Sequence, residues 1–319
     1  LGLAVLIVGI ATGAFASPSV HQPWFHDVAT GLPAFSDGRW WTVFTSPFFT
    51  YRPVAYFTLL PLFLAAIGWG EWLFGSLRAA LLFLAGHVIG VSVSAAILFF
   101  VRESSLGWLD RLTDSYDVGL SCGAFAVLVF AIATLPAPWR LRARIAVIGW
   151  TAISVLYLSR LNDLEHAVTL IIALIVAGWL PAFRHPAGRP SEREWRLIAF
   201  AGLIAIGVIQ VLDLIVPFDG ALGRNEPIAS FLDVAIDVVV IALVANGVRQ
   251  GHRFAWVIAL VLGAFNLLSV GLVFVAVPVL EDLGLIDDER DIPGLVVAPA
   301  VLWLAIMLFM LWGRGAFRV

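Results

Sequence analysis

Residues 116–135 read YDVGLSCGAFAVLVFAIATL, a polar opening that passes straight into an uncharged apolar run. The run is continuous rather than alternating, which makes it a helix and not a strand with one face in water. Asp117, Gly119 and Ser121 stand at its mouth, where an unsolvated polar group is unfavourable unless it is partnered. The fold follows from how often this kind of run recurs, and the function from what other segments bring to Ser121.

It recurs about ten times. The chain of 319 residues is 61% hydrophobic and 13% charged, with a mean hydropathy of +0.98, far beyond what a water-soluble domain uses. A bilayer span takes ~20 mostly apolar residues. The expected class is therefore an all-α polytopic membrane protein with about ten transmembrane helices, and the unbroken runs exclude a β-barrel. Helices are expected over about Leu1–Ser17, Val54–Phe74, Leu77–Val101, Val118–Leu135, Ile145–Leu158 and Ala167–Leu180. Four more follow over about Leu197–Val216, Pro227–Val248, Phe254–Leu280 and Leu295–Trp312.

Charges in the connections orient these spans. Alternate connections carry Arg140, Arg142 and Arg144, then Arg184 through Arg196, then Arg249 with Arg253, and finally Arg314 with Arg318. The connections between them are mainly acidic, as at Asp110–Asp117, Asp163 with Glu165, and Glu281–Asp291, and the scattered outer arginines Arg39, Arg52, Arg102, Arg111 and Arg160 blur the pattern without reversing it. Positive connections stay inside, so both termini are expected in the cytoplasm of a bacterial inner membrane, with Ser121 and His166 near the outer surface. A net charge of −3 argues against a nucleic-acid partner. Cys122 is the only cysteine, so no intramolecular disulfide forms, and no metal or cofactor is expected. The chain opens without an initiator Met and stops soon after an apolar run, the pattern expected of a segment of a longer protein.

The polar, proline-containing stretch 183–196 reads as a cytoplasmic linker between a six-helix domain, 1–182, and a four-helix domain, 197–319. Pro18–Tyr51 is a long outer connection whose Trp40, Trp41, Phe44, Phe48 and Phe49 suit the interfacial zone.

Within residues 1–182 several segments converge on one family. Gly38-Arg-Trp-Trp-Thr-Val-Phe-Thr-Ser-Pro-Phe48 follows the first helix, Gly68-Trp-Gly-Glu-Trp-Leu-Phe-Gly-Ser76 closes the second, Gly119-Leu-Ser121-Cys opens the fourth and Glu165-His166-Ala opens the sixth. In order, spacing and sidedness this resembles the rhomboid intramembrane proteases. The resemblance implies a six-helix bundle in which Ser121 is the nucleophile and His166 its general base, acting on a transmembrane protein substrate. The types suit that chemistry, because a neutral imidazole can withdraw the proton that makes a serine hydroxyl nucleophilic. Thr42 stands where the family has Arg after Trp. Ala55 and Leu59 stand where it has the His and Asn that help to stabilise the oxyanion, and losing such a donor typically lowers the rate ~10²–10³-fold. Asp117 and Glu165 are additions that would orient His166 or bind a cationic group. His87 reads as a buried structural histidine in the inner half of the bilayer, and Arg39 as an anchor of the outer connection.

The second domain carries polar groups at depths where they are rare: Gln210 and Asp213, then Asp233 and Asp237 four apart on one helix face, then Asn266. An intramembrane Asp is unfavourable by ~3 kcal/mol on insertion scales, so these groups are expected to face a polar interior, as a site for a lipid headgroup, cation or proton, or as an interhelical hydrogen-bond network. Hydropathy, the basic exit and the tail Arg314–Val319 resemble the membrane portion of aminoacyl-phosphatidylglycerol synthase/flippase proteins. That resemblance implies membrane lipids as partners, phosphatidylglycerol or its aminoacyl form, and a transferase domain beyond residue 319.

Overall fold

Where no water reaches the backbone, apolar runs must close their hydrogen bonds internally, and the computed structural model is accordingly dominated by helix. It describes residues 1–102, 107–183, 191–215, 218–221, 223–225, 231–282 and 293–318. The first of two units, Leu1–Pro186, begins with α1 (Gly2–Ala11) and the short α2 (Phe25–Val28), α3 (Leu32–Ser36) and α4 (Thr42–Thr45). Then come α5 (Ala55–Phe74), α6 (Ser76–Val101), α7 (Gly107–Thr113), α8 (Ser121–Ala133), α9 (Trp139–Ile153), whose last turn continues as a π-helix over Ser154–Leu158, and α10 (Leu161–Trp179). The second unit, Ala187–Val319, holds α11 (Glu192–Ile215), α12 (Phe231–Gln250), α13 (Arg253–Asp282) and α14 (Pro293–Trp312). Among the described residues six helices are long and apolar enough to cross a bilayer: α5, α6, α9 with its π turn, α10, α11 and α13.

Each expected span has a helix, but several ends differ for identifiable reasons. α1 stops at Ala11, short of the expected Ser17, and Gly13 at φ +78° turns the chain away. α8 starts at Ser121 and not Val118, because Gly119 at φ +152° cannot continue a helix. α10 starts six residues before the expected Ala167; Asp163 Oδ2 accepts from the Arg160 backbone N–H at 3.0 Å and caps it. The linker expected over 183–196 is shorter, since α11 already begins at Glu192. Ser191 and Glu194 form its capping box, Ser191 N–H donating to Glu194 Oε2 at 2.7 Å and Glu194 N–H to Ser191 Oγ at 3.3 Å. A two-stranded antiparallel hairpin, Phe218–Gly220 with Gly223–Asn225, departs from the all-α expectation in a connection where the backbone has no helix to satisfy it.

In the first unit α8 is the central helix, packed against α5, α6 and α10. Glycines make those seams tight: a Cβ on Gly70 would lie 2.1 Å from Val127, on Gly86 2.1 Å from Ala126, and on Gly90 2.1 Å from Thr169 Oγ1. The outer connection 18–51 is folded onto the bundle rather than loose. Trp24 Nε1 donates to Thr12 O at 3.0 Å and Ser19 Oγ to Thr50 O at 2.6 Å, while Trp40, Trp41 and Phe44 stay exposed and Phe49 is buried.

In the second unit α11, α12, α13 and α14 pack in a closed ring. Its core, including Leu203, Ile241, Val248, Ala259, Trp303 and Met310, lies toward the end where α11 and α13 begin and α12 and α14 finish. At the opposite end of α12, Phe231, Leu232 and Ile236 are exposed.

Candidate functional site

The site lies where α5, α8 and α10 begin and α9 ends. Gly119 fixes the approach: its N–H donates to Ser46 O at 3.0 Å and its positive φ swings the chain into α8. Two residues earlier, Asp117 pairs with Thr30 in an isolated antiparallel bridge, Asp117 N–H to Thr30 O at 2.8 Å and Thr30 N–H to Asp117 O at 2.9 Å. Ser121 is thus delivered as the first residue of α8 by a segment pinned on both sides to the outer connection. Its residue is only 8% exposed.

His166 sits inside α10 and its ring stacks on Phe125, with centroids 5.0 Å apart and planes at 19°. Phe125 is one helical turn beyond Ser121, so Ser121 and the aromatic seat of His166 share a face of α8. His166 Nε2 is buried and has no hydrogen-bond partner among the described residues, hence Ser121 and His166 are not hydrogen-bonded through that nitrogen.

Both residues line one cavity of about 1260 Å³ between α5 and α9, backed by α8 and α10. It runs along α5 from its start to Trp69, roughly 20 Å at the helical rise. Leu59, Leu62 and Trp150 in its wall are 48%, 64% and 63% exposed, so the cavity opens sideways between two helices as well as at its end. At that end three arginines line it, Arg52, Arg111 and Arg160. Ala55 and Leu59 form part of its wall, and neither side chain can donate a hydrogen bond.

Of the two carboxyl groups, Asp117 is on the cavity lining and Glu165 is not. Asp117 and Glu165 hydrogen-bond each other, and Cys122 Sγ lies 3.5 Å from Glu165 Oε2. Neither acid touches His166, contrary to the expected orienting role, because adjacent positions 165 and 166 point about 100° apart round a helix. Glu165 is 1% exposed and packs beside Cys122. Asp117 lines the cavity, and burial pushes its carboxyl up to about 7 against the opposing hydrogen bonds from the Val118 N–H and Glu165.

His87 is buried and structural. Its Nε2 lies 3.2 Å from Ser46 Oγ and its ring stacks on Phe83. The expected inner-half position changes in meaning, because the outer connection dips into the bundle to meet it. Arg39 anchors as expected, donating to Asp37 Oδ2 at 2.6 Å, to Tyr116 OH at 3.1 Å and to His26 O.

Of the polar residues of the second unit, most of those described are at least partly buried. Gln210 Oε1 and Asn266 Oδ1 are buried acceptors without a partner among the described residues, and Asp213 is partly buried. Asp237 is exposed rather than turned to an interior, because that half of α12 carries little of the packing. The side chain of Asp233 lies outside the described residues.

Sequence reasoning missed Phe125, the Cys122–Glu165 contact, and Arg52, Arg111 and Arg160 as a set. The i, i+4 relation of Ser121 and Phe125 was a readable signal; the charge pattern put the arginines in outer connections, but nothing in their spacing said that they line one cavity.

This chain is a polytopic membrane protein. No family model and no solved structure matches it. A protein of Corynebacterium glutamicum, described as uncharacterized, is 23% identical over 295 residues, which cover 78% of this chain and 36% of that one. The chain therefore spans little more than a third of the length of the curated relative it matches.

Proposed function

We propose that this chain is a lipid-handling membrane module in a bacterial cytoplasmic membrane, with an anionic phospholipid bound in the cavity of its first unit. The observation that carries the reading is that cavity: apolar walls open sideways between α5 and α9, and three arginines lie at the end where those walls meet the outer connections. Acyl chains fill such walls at about 25 cal/mol per Å² removed from water, and a guanidinium matches a phosphate with paired hydrogen bonds. The arginine-bearing connections support a topology with both termini in the cytoplasm, which sets the cavity mouth outside. The proposed context is the membrane half of an aminoacyl-phosphatidylglycerol synthase/flippase. The greater length of the C. glutamicum relative is compatible with a further domain in that protein. The test is native mass spectrometry of the full chain released from nanodiscs of mixed phosphatidylglycerol and phosphatidylcholine. Retained phosphatidylglycerol should drop when Arg52 and Arg160 are both changed to Ala; equal retention of the two lipids by the unaltered chain would overturn the reading.

A second reading is favoured by a specific contact, the seating of His166 on Phe125 one turn from Ser121. In it the first unit is a rhomboid-type hydrolase with a Ser121/His166 dyad that cuts a transmembrane peptide. A fluorophosphonate probe should label the chain and lose its target in Ser121→Ala. Labelling that persists in the mutant removes this reading.

A further inference from the structure

We infer that Ser121, with His166 as its base, cleaves an acyl ester of the phospholipid held in the cavity, so that the site is a lipid esterase. The inference rests on the reading of the cavity as a lipid site.

Placement is the first argument. Arg52 lies three residues before α5, Arg160 immediately before α10, and Ser121 at the first position of α8, so the arginines and the serine stand at the same end of the bundle. In a phospholipid the ester linkages are next to the phosphate and the chains run away from it. A phosphate among the arginines, with chains descending between α5 and α9, sets an ester carbonyl at the level of Ser121. A peptide span has no fixed negative group at that level.

The second argument is reactivity. Ser121 is more than nine-tenths buried, faces the cavity and makes no side-chain hydrogen bond among the described residues. His166 Nε2 is likewise unpartnered, which leaves a neutral imidazole nitrogen to take a proton. Ala55 and Leu59 add no side-chain donor for an oxyanion at their own positions, although Thr58 and Asn162 also line the wall. An amide needs that help most, since its nitrogen leaves only after protonation from a stabilised tetrahedral intermediate. An ester is intrinsically more reactive and its alkoxide leaves more readily, so it makes the smaller demand on such donors.

In the step, the Ser121 Oγ–carbonyl carbon bond forms as the hydroxyl proton passes to His166 Nε2. The carbonyl carbon–alkoxide oxygen bond then breaks, and the departing oxygen takes that proton, giving lysophospholipid and acyl-Ser121. Water next attacks the acyl carbon and gives a proton to His166, which returns it to Ser121 Oγ as fatty acid leaves. The sum is lipid ester plus water to fatty acid plus lysolipid, with no oxidant or reductant.

The experiment uses the full chain in nanodiscs of phosphatidylglycerol with a radiolabelled acyl chain, beside nanodiscs of uncharged diacylglycerol and of a model transmembrane peptide. Fatty acid release from phosphatidylglycerol should fall ~10³-fold or more in Ser121→Ala and in His166→Ala. Arg52→Ala with Arg160→Ala should slow release from phosphatidylglycerol but not from diacylglycerol. Ser121→Ala should still retain phosphatidylglycerol in native mass spectrometry, which separates lost chemistry from lost folding. Release unchanged in Ser121→Ala overturns the inference, as does peptide cleavage without lipid release. Bound phosphatidylglycerol with no release overturns the esterase while leaving the lipid reading standing; no selective binding overturns both.

Discussion

The packing around α8 makes a prediction with a sign at each of two glycines. A methyl added at Gly123 would sit 2.6 Å from two Phe83 ring carbons and 2.7 Å from the Phe83 carbonyl oxygen. Ordinary contacts of this kind need about 3.5–4.0 Å, so α6 and α8 must separate by roughly 0.8–1.3 Å. The ring could swing aside, but the carbonyl is part of α6 and cannot. Overpacking of this kind is unfavourable by about 1–3 kcal/mol, partly offset by up to ~1 kcal/mol of better helix propensity for Ala. Gly149 is the control: it lies within α9 and a Cβ there meets nothing within 4 Å. Gly149→Ala keeps only the propensity gain. Thermal unfolding of the full chain in detergent, followed by tryptophan fluorescence, should place Gly123→Ala roughly 1–5 °C below the parent and Gly149→Ala at or slightly above it. A Gly123→Ala chain as stable as Gly149→Ala would refute the close α6–α8 seam and, with it, the placement of Ser121 on a helix held that tightly.

Three further outcomes are expected. Asp117 has a folded-state carboxyl raised to about 7 from 3.8, so its contribution to stability is present below the unfolded value and lost as pH rises through about 7. The melting temperature should therefore fall between about pH 4 and 8, and Asp117→Asn should flatten that fall; an identical slope in the mutant counts against the buried pair. His87→Ala leaves a cavity and an unpaired Ser46 hydroxyl, and should lower stability by about 2–4 kcal/mol in chemical denaturation, whereas a change under ~0.5 kcal/mol would deny its structural role. Arg39→Ala removes the ties to Asp37, Tyr116 and His26, and limited proteolysis should then cut within residues 18–51 sooner, with little change in global melting.

The helices were legible because a bilayer leaves the backbone one solution and the apolar runs mark where it is used. Their ends were less so. Nothing in the hydropathy of Arg160–His166 says that α10 begins at Leu161; that depends on the Asp163 cap, a local polar signal inside a stretch read as a loop. The same misreading made Glu165 a partner for His166. Once both lie within one helix, their side chains diverge, and Glu165 turns to Asp117 and Cys122. The Ser191–Glu194 capping box was readable in advance and would have shortened the linker. By contrast, Asp237 was placed inside by an energetic rule that treats a helix as equally packed along its length, whereas α12 is buried mainly toward its far end. The arginines of the cavity, spread over positions 52, 111 and 160, line one cavity because the approaches to α5 and α10 and the short α7 come to one end of the bundle.

Ser121 thus stands between two environments of opposite character. On one side is the cavity, with charged groups at its mouth and apolar walls below. On the other, Glu165 is 1% exposed, held by Asp117 and next to Cys122, and Gly90 brings α6 to within contact of Thr169 one turn farther along α10. A carboxyl pair that shares one proton carries a single negative charge instead of two, which is easier to bury in a dry seam. Were both acids ionised, they would add a second negative charge beside the segment that carries Ser121 and oppose an anion bound in the cavity. The Thr30–Asp117 bridge and the tie from Gly119 to Ser46 hold the segment so that the acids meet each other instead of the cavity base. The departure of Asp117 from the expected pattern thus bears on the proposed lipid site: a proton shared by that pair removes one of the negative charges that would oppose Arg52, Arg111 and Arg160 on the same cavity.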